Sequence, residues 1–262
     1  MVESTELPSN ALGRIVRIDF YPPPEPFPAE CGLMIINDGQ DLKKMGFEKI
    51  LKSFYDSGSR RKTLVAAIYC GDDRVNEYGV ASSPDYKGRG ARAALYSKFV
   101  IEELLPFIYS QYHLTRFNET AYAGFSLGGL SAFDIAWNHP AIFKRIGVFS
   151  GSLWWRSKSK DDKNYGQAEY RFAHRMVRNG SFQPGMKFFF QCGEQDESED
   201  RNKNGVIDSI DDAIDLMREL IRKGYLEGRD FRYLQLPGGK HDVDSWSRAL
   251  PSFLEWGWGR SL

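Results

Sequence analysis

An open α/β sheet, mostly parallel and covered by helices on both faces, is the fold this sequence predicts, and three observations carry the prediction. Apolar strand-like runs alternate with helical periodicities along nearly the whole chain, the pattern by which parallel sheets are wound. Some runs, such as Leu33-Met34-Ile35-Ile36, are continuous rather than alternating, as in strands buried on both faces. Ala123-Gly124-Phe125-Ser126-Leu127-Gly128-Gly129 sets a serine between glycines where a strand gives way to a helix.

The elements follow in order. Residues 15–21 alternate apolar and polar as a half-buried edge strand does, and Pro22-Pro23-Pro24-Glu25-Pro26 then forbids further pairing and acts as a stiff connector. The strand at Leu33 ends in Asn37-Asp38-Gly39-Gln40-Asp41. Residues 63–70 form another apolar strand, followed by Asp72-Asp73-Arg74. Leu95, Phe99 and Leu104 mark a helix over 91–105 that stops near Pro106. A strand at 120–123 enters the glycine turn, and Leu130, Phe133 and Trp137 recur at helical spacing beyond it. Residues 145–149 are a strand leading into Ser150-Gly151-Ser152-Leu153-Trp154-Trp155, then a Lys/Ser/Asp-rich excursion over 156–165 and a short helix over 170–178. A strand at 187–192 runs into Gly193-Glu194-Gln195-Asp196-Glu197. A helix carrying Ile210, Ile214, Met217 and Ile221 leads to a strand at 231–236, the loop Pro237-Gly238-Gly239-Lys240-His241, and a closing helix from about Asp244 with Trp246, Leu250 and Phe253.

Composition bounds the function. A chain of 262 residues, 42% of them hydrophobic, suits one core, so one domain is expected over 12–262 behind a polar N-terminal tail, 1–11. Lys plus Arg and Asp plus Glu both total 35, which leaves no electrostatic footprint for nucleic acid or an anionic membrane. No stretch approaches the roughly 20 apolar residues of a membrane span, and the N-terminus lacks a signal-like basic and apolar region. Cys31, Cys70 and Cys192, an odd count without a framework, read as reduced thiols, so a cytoplasmic setting is expected.

The glycine turn has the strand-turn-helix context of a nucleophile elbow, with Ser126 thrust out above the sheet and the Leu127 N–H aimed where an oxyanion would form. A second oxyanion donor comes from the loop after the third strand in this fold, which makes the Gln40 N–H the candidate; Asp38-Gly39 is otherwise a plain turn. Of four histidines, His113, His139 and His174 sit at or inside helices. His241 alone lies in a glycine-rich loop after the last core strand, where a general base is held. Asp196 completes the chain order Ser, Asp, His of an α/β-hydrolase, with Glu194 in reserve. Asp38, Arg74, Trp154 and Trp155 are substrate-binding candidates; the tryptophans either line a pocket or pack in the core.

The elbow, the Asn37-Asp38-Gly39-Gln40 loop, Gly193-Glu194-Gln195-Asp196 and Gly238-Gly239-Lys240-His241 with Trp246 resemble the putative-esterase branch of the α/β-hydrolases. That branch includes enterochelin, feruloyl and acetyl-xylan esterases, S-formylglutathione hydrolase and the mycolyl transferases. The resemblance implies hydrolysis of a small-molecule carboxylic ester, whether a siderophore, aryl or carbohydrate ester, through an acyl-serine and without an organic cofactor. Ser126 is then the nucleophile, His241 the base, Asp196 the acid, and Leu127 and Gln40 the oxyanion donors. An acyltransferase with a hydroxyl acceptor and a non-catalytic binding protein on the same scaffold are the alternatives.

One motif stands outside that chemistry. Residues 200–211 fit a twelve-residue calcium loop, with oxygen donors from Asp200, Asn202, Asn204, Asp208 and Asp211, a carbonyl from Val206 and glycine at the sixth position. Asp in place of Glu at the twelfth position, and neutral amides at the third and fifth, weaken the match. An Asx-rich turn capping the next helix is the alternative. A structural Ca²⁺ there would stiffen the loop of Asp196.

Overall fold

The computed structural model describes residues 2–24, 31–58, 62–163 and 167–258. Strands β1 (Glu3–Ser9), β2 (Arg14–Tyr21), β3 (Gly32–Asn37), β4 (Thr63–Ile68), β5 (Thr120–Phe125), β6 (Arg145–Phe149), β7 (Lys187–Gln195) and β8 (Phe231–Lys240) form one sheet in the order β1-β2-β4-β3-β5-β6-β7-β8. The pairs β1/β2 and β2/β4 are antiparallel, and every other pair is parallel. The fold is therefore the α/β-hydrolase architecture the sequence predicts.

Helices α1 (Phe47–Asp56), α2 (Arg74–Glu77), α3 (Ala93–Lys98), α4 (Leu105–Gln111), α5 (Leu127–Asn138), α6 (Gln167–Tyr170), α7 (Phe172–Asn179), α8 (Asp208–Lys223) and α9 (Val243–Trp258) connect the strands. The continuous apolar runs are explained by cores on both faces of the sheet. Leu33 and Ile35 of β3 join one core with Tyr96, Phe133 and Leu216, while Met34 and Ile36 join the other with Phe47, Leu250 and Phe253. Strand side chains alternate between faces, so a strand covered on both must be apolar throughout.

Several expectations are corrected. The supposed tail contains strand β1, paired along its length with β2, so residues 15–21 lie second from the sheet edge. The composition that suggested a tail is that of an outer strand, with Glu3, Glu6 and Pro8 exposed. The helix at 91–105 does not end at Pro106. A π-helical stretch, Phe99–Leu104, joins α3 to α4, and Pro106, which has no N–H to give, follows closely on that stretch, so the helix is widened ahead of the proline rather than ended by it. Helix α1 was not anticipated, although Phe47, Leu51 and Phe54 give it a buried stripe. Strands β7 and β8 run three and four residues past their expected ends, through a register shift between Gly193 and Gln195, and the paired ends Gln195 and Lys240 immediately precede Asp196 and His241. The last residues of the proline connector and of the 156–165 excursion lie outside the described residues.

Candidate active site

Because β3 and β5 to β8 run parallel, their C-terminal ends share one edge of the sheet, the edge on which open α/β sheets place their ligands. From these ends come the Asp38-Gly39-Gln40 turn, Ser126, Ser150, Asp196 and His241. Chain direction also diverges here, since β3 lies between β4 and β5.

Ser126 sits between β5 and α5 with φ 54° and ψ −121°, a left-handed backbone that costs a non-glycine residue about 1–3 kcal/mol. Its N–H donates to the Phe149 carbonyl at 2.8 Å, and its carbonyl accepts the Ser152 N–H at 3.0 Å. The glycines around it are obligatory. A Cβ on Gly124 would stand 2.3 Å from the Gly128 carbonyl oxygen, and one on Gly128 would stand 2.4 Å from an Asp38 carboxylate oxygen. Leu127 begins α5, so its N–H belongs to the first turn, which has no intrahelical acceptor.

The turn after β3 is fixed to the elbow. Asn37 donates its side-chain N–H to the Gly128 carbonyl at 2.8 Å and accepts the hydroxyls of Tyr96 and Tyr122 at 2.7 and 3.0 Å. Asp38, at φ 62°, opens a 3-10 turn, Gly39–Asp41, of which Gln40 is the middle residue. The Gln40 side chain is engaged elsewhere, donating to Asp38 at 3.2 Å and accepting the Cys70 N–H at 3.2 Å.

The substrate-binding candidates divide. Asp38 is buried and accepts two parallel bonds from one edge of the Arg74 guanidinium, Nε and Nη2, at 2.7 and 2.8 Å, so these two bind each other. Trp155 is 1% exposed and packs against Gly79 and Gly90, which makes it core. Trp154 remains half-buried, with Arg89 stacked 5.1 Å from its ring.

Asp196 and His241 lie side by side at the ends of β7 and β8. Neither Asp196 carboxylate oxygen, both buried, has a hydrogen-bond partner at full geometry among the described residues. Burial holds this carboxyl above the ordinary carboxylate range, opposed by the nearby Ser150 hydroxyl, the Gly193 backbone and His241. Glu194, the reserve acid, instead accepts Gln235 and the Gly238 N–H, both at 3.2 Å, and faces away.

His241 is held at the start of α9, where Lys240 N–H donates to Ser245 Oγ and Ser245 N–H to Asp242, both at 2.8 Å. The residue is exposed on its outer side, and its ring stands edge-on to Trp246 with centroids 5.3 Å apart. Desolvation is the largest influence on the imidazole and lowers its pKa; Asp196 acts in the opposite sense, Arg74 lowers it and Asp242 raises it. The only hydroxyl near Ser126 Oγ among the described residues is Ser152 Oγ, at 3.5 Å, and no hydrogen bond there joins His241 to Ser126 or Asp196. Catalytic hydrogen bonds in enzymes without substrate are often open in this way.

Two serines of this edge, Ser150 and Ser152, were not singled out from the sequence. A Ser-Gly-Ser after a strand is commonplace, and the distinguishing signal, Ser150 at φ 44°, exists only in the backbone.

In the 200–211 loop the structure brings Asp200, Asn202, Asn204 and Asp211 together. Gly205 N–H donates to Asp200 at 2.9 Å, and the Asn202 and Asn204 amides donate to Asp211 at 2.8 and 3.0 Å. Gly205 has the φ of 83° that the sharp turn demands. Asp208, the expected ninth-position donor, is instead turned to Arg201, accepting its N–H at 2.7 Å. Among the described residues no group of three or more His, Cys, Asp or Glu is placed to hold a metal, so the loop offers two carboxylates and two amides.

Comparison with known proteins bears on the family and the fold. Residues 9–256 match the profile of the family described as "Putative esterase". Uncharacterized protein YbbA of Bacillus subtilis (strain 168) is 23% identical over 255 residues, covering 94% of this chain and 93% of its own. The enterobactin esterase FES of Shigella flexneri superposes with a TM-score of 0.71 at 17% identity, covering 97% of this chain; the chain spans 59% of that protein's length. The siderophore hydrolase EstB of Aspergillus nidulans gives a TM-score of 0.67 at 18% identity over 96% of this chain and 93% of EstB. The chain thus belongs to the Putative esterase family.

Proposed function

We propose that the protein hydrolyses a small-molecule carboxylic ester through an acyl-serine, with Ser126 as nucleophile, His241 as general base and Asp196 as the acid. The observation that carries this reading is the juxtaposition of Asp196 and His241 at the ends of two paired strands, on the sheet edge that bears the strained Ser126. His241 takes the Ser126 proton as Oγ attacks the ester carbonyl, and the Leu127 and Gln40 N–H groups receive the oxyanion. The protonated His241 then delivers its proton to the leaving alcohol. A water deprotonated by the same ring releases the acid. An Nδ1–H···Asp196 bond would give the buried carboxylate the partner it lacks.

A panel of p-nitrophenyl esters of graded acyl size tests the reading, with product analysis in the presence of alcohols to separate hydrolysis from acyl transfer. The lowered imidazole pKa gives a sign to the pH dependence. The kcat/KM is expected to fall as pH drops through an ionisation below about 6.5 and to be flat above it, because only neutral His241 accepts the proton. A limb centred above pH 7 would contradict His241 as the base.

The substrate class is drawn from the neighbours: a siderophore-like or aryl ester, with the half-buried Trp154 as its aromatic contact. Among the described residues no helix is long and apolar enough to cross a membrane. The free thiols Cys31, Cys70 and Cys192 suit a reducing, cytoplasmic setting.

We propose also that the 200–211 loop takes up Ca²⁺ through Asp200, Asn202, Asn204, the Val206 carbonyl and Asp211, as a structural ion. With a Kd of about 10⁻⁴ M, 1 mM Ca²⁺ would stabilise the fold by about 1.4 kcal/mol. Thermal melts should rise by about 3–5 °C over EGTA-treated protein. Identical melts, with Mg²⁺ as control, would remove the ion from the account.

A further inference from the structure

The residue that ends β6 is unusual in its backbone. Ser150 is a non-glycine residue at φ 44°, only 2% exposed, with its N–H donating to the Gln191 carbonyl at 2.8 Å. Glycine would hold this conformation without strain. What serine adds is a hydroxyl, and the structure fixes how that hydroxyl is used. Trp246 Nε1–H donates to Ser150 Oγ at 3.0 Å. An indole N–H can only donate, so the serine oxygen accepts there and its own hydrogen is left to point elsewhere.

The backbone bond to Gln191 sets Ser150 beside the end of β7, where Asp196 packs back on Gly193 with both carboxylate oxygens buried and without a hydrogen-bond partner among the described residues. The Ser150 hydroxyl is the foremost of the groups that favour the ionised form of that acid against its burial. The Trp246 indole also stacks on Phe125, the residue before the nucleophile, at 5.1 Å and 26°, and meets the His241 ring edge-on. One side chain of α9 thus touches the strand of the nucleophile, the base, and the hydroxyl that faces the acid.

We propose that Ser150 is a positioning residue, its hydroxyl held by Trp246 and donated to Asp196 so that the carboxylate is kept aimed at His241. The proposal rests on the Ser126, His241, Asp196 reading. The titratable and charged groups facing this pair are Asp242 at the start of α9, Arg74 of α2, Cys192 of β7 and Tyr233 of β8, and none is altered by the test.

Ser150→Gly separates the hydroxyl from the fold, because glycine relieves the backbone strain. The variant is expected to melt close to the wild-type temperature, the relieved backbone strain offsetting the Trp246 N–H left without its acceptor, while kcat falls about tenfold, the size of one charge-assisted hydrogen bond, with KM little changed. Losing a donor that favours the carboxylate should also move the acidic limb of the pH profile upward. Trp246→Phe keeps the ring and removes only the N–H. If both residues act through one hydrogen-bond chain, the double variant will be no slower than Ser150→Gly alone. A fully active Ser150→Gly, an unmoved acidic limb, or losses that multiply in the double variant would each overturn the proposal. Activity that survives His241→Ala would instead refute the underlying triad, so the two failures are distinguishable.

Discussion

Replacing Ser126 with alanine is expected to lower kcat/KM on any activated ester the protein turns over by about 10⁴-fold or more, leaving a residue of turnover from the oxyanion donors and binding alone. The loss has a structural counterpart that sharpens the test. Alanine retains the φ of 54° and its strain, so the turn, the Phe149 and Ser152 backbone bonds and the packing of Gly124 on Gly128 persist. The variant should therefore melt within about 0.5 kcal/mol of the wild type. Loss of activity together with loss of fold would say nothing about chemistry; loss of activity in a protein of unchanged stability identifies the nucleophile. A burst of p-nitrophenol in the wild type that disappears in the variant would show the acyl-enzyme directly.

The largest effect on stability is expected far from the serine. Between α7 and α8, Asp212 lies 1% exposed between two guanidiniums, those of Arg171 and Arg201, the latter at 2.6 Å. Burial raises the Asp212 pKa and the two arginines oppose it, so the cluster is a balance between desolvation and pairing rather than a clear gain. Removing one member upsets that balance. Asp212→Ala leaves buried positive charge without its counter-ion, for which about 3–5 kcal/mol is the usual cost. Arg171 keeps Asp215 at 2.7 Å and Arg201 keeps Asp208 at 3.4 Å, which places the expectation at the lower end, about 3 kcal/mol. Chemical denaturation should resolve such a shift easily. Lys52→Ala, which breaks an exposed pair with Asp56 on α1, is the control and should change stability by less than about 0.5 kcal/mol. Equal effects from the two would mean that the buried cluster relaxes or hydrates.

What the sequence made legible follows from the range of the interactions involved. The elbow was readable because strand, tight turn and helix are local, and because Gly124 is demanded by the Gly128 carbonyl within the same turn; the demand on Gly128 comes from Asp38, far along the chain, and is met by the same local motif. The histidine could be chosen by elimination, since His174 is buried in α7 with Nε2 against the Asp212 carbonyl at 2.9 Å. Strand β1 was missed because an outer strand is set by its partner: Ser4 and Glu6 oppose Asp19 and Arg17, a pairing no periodicity announces. The reach of β7 and β8 was underestimated for the same reason, as glycine and proline read locally as a loop yet are carried by the register shift. Ser150 was invisible, its place being decided by an indole 96 residues away. The Asp38 and Arg74 pairing is likewise a contact across 36 residues, which no local pattern announces.

The two ends of the sheet bear on how the protein behaves in a crowded solution. An outer strand offers a row of free N–H and C=O groups onto which a second chain can add, the first step of fibre growth. Here β1 carries Pro8, with Glu3 and Glu6 exposed beside it, and β8 carries Pro237 with Arg232 and Lys240 exposed. Each proline deletes a donor from its strand, and like charges on a would-be added copy would meet in register. The irregular pairing that carries the last strand out to His241 also spoils the straight edge that such growth needs.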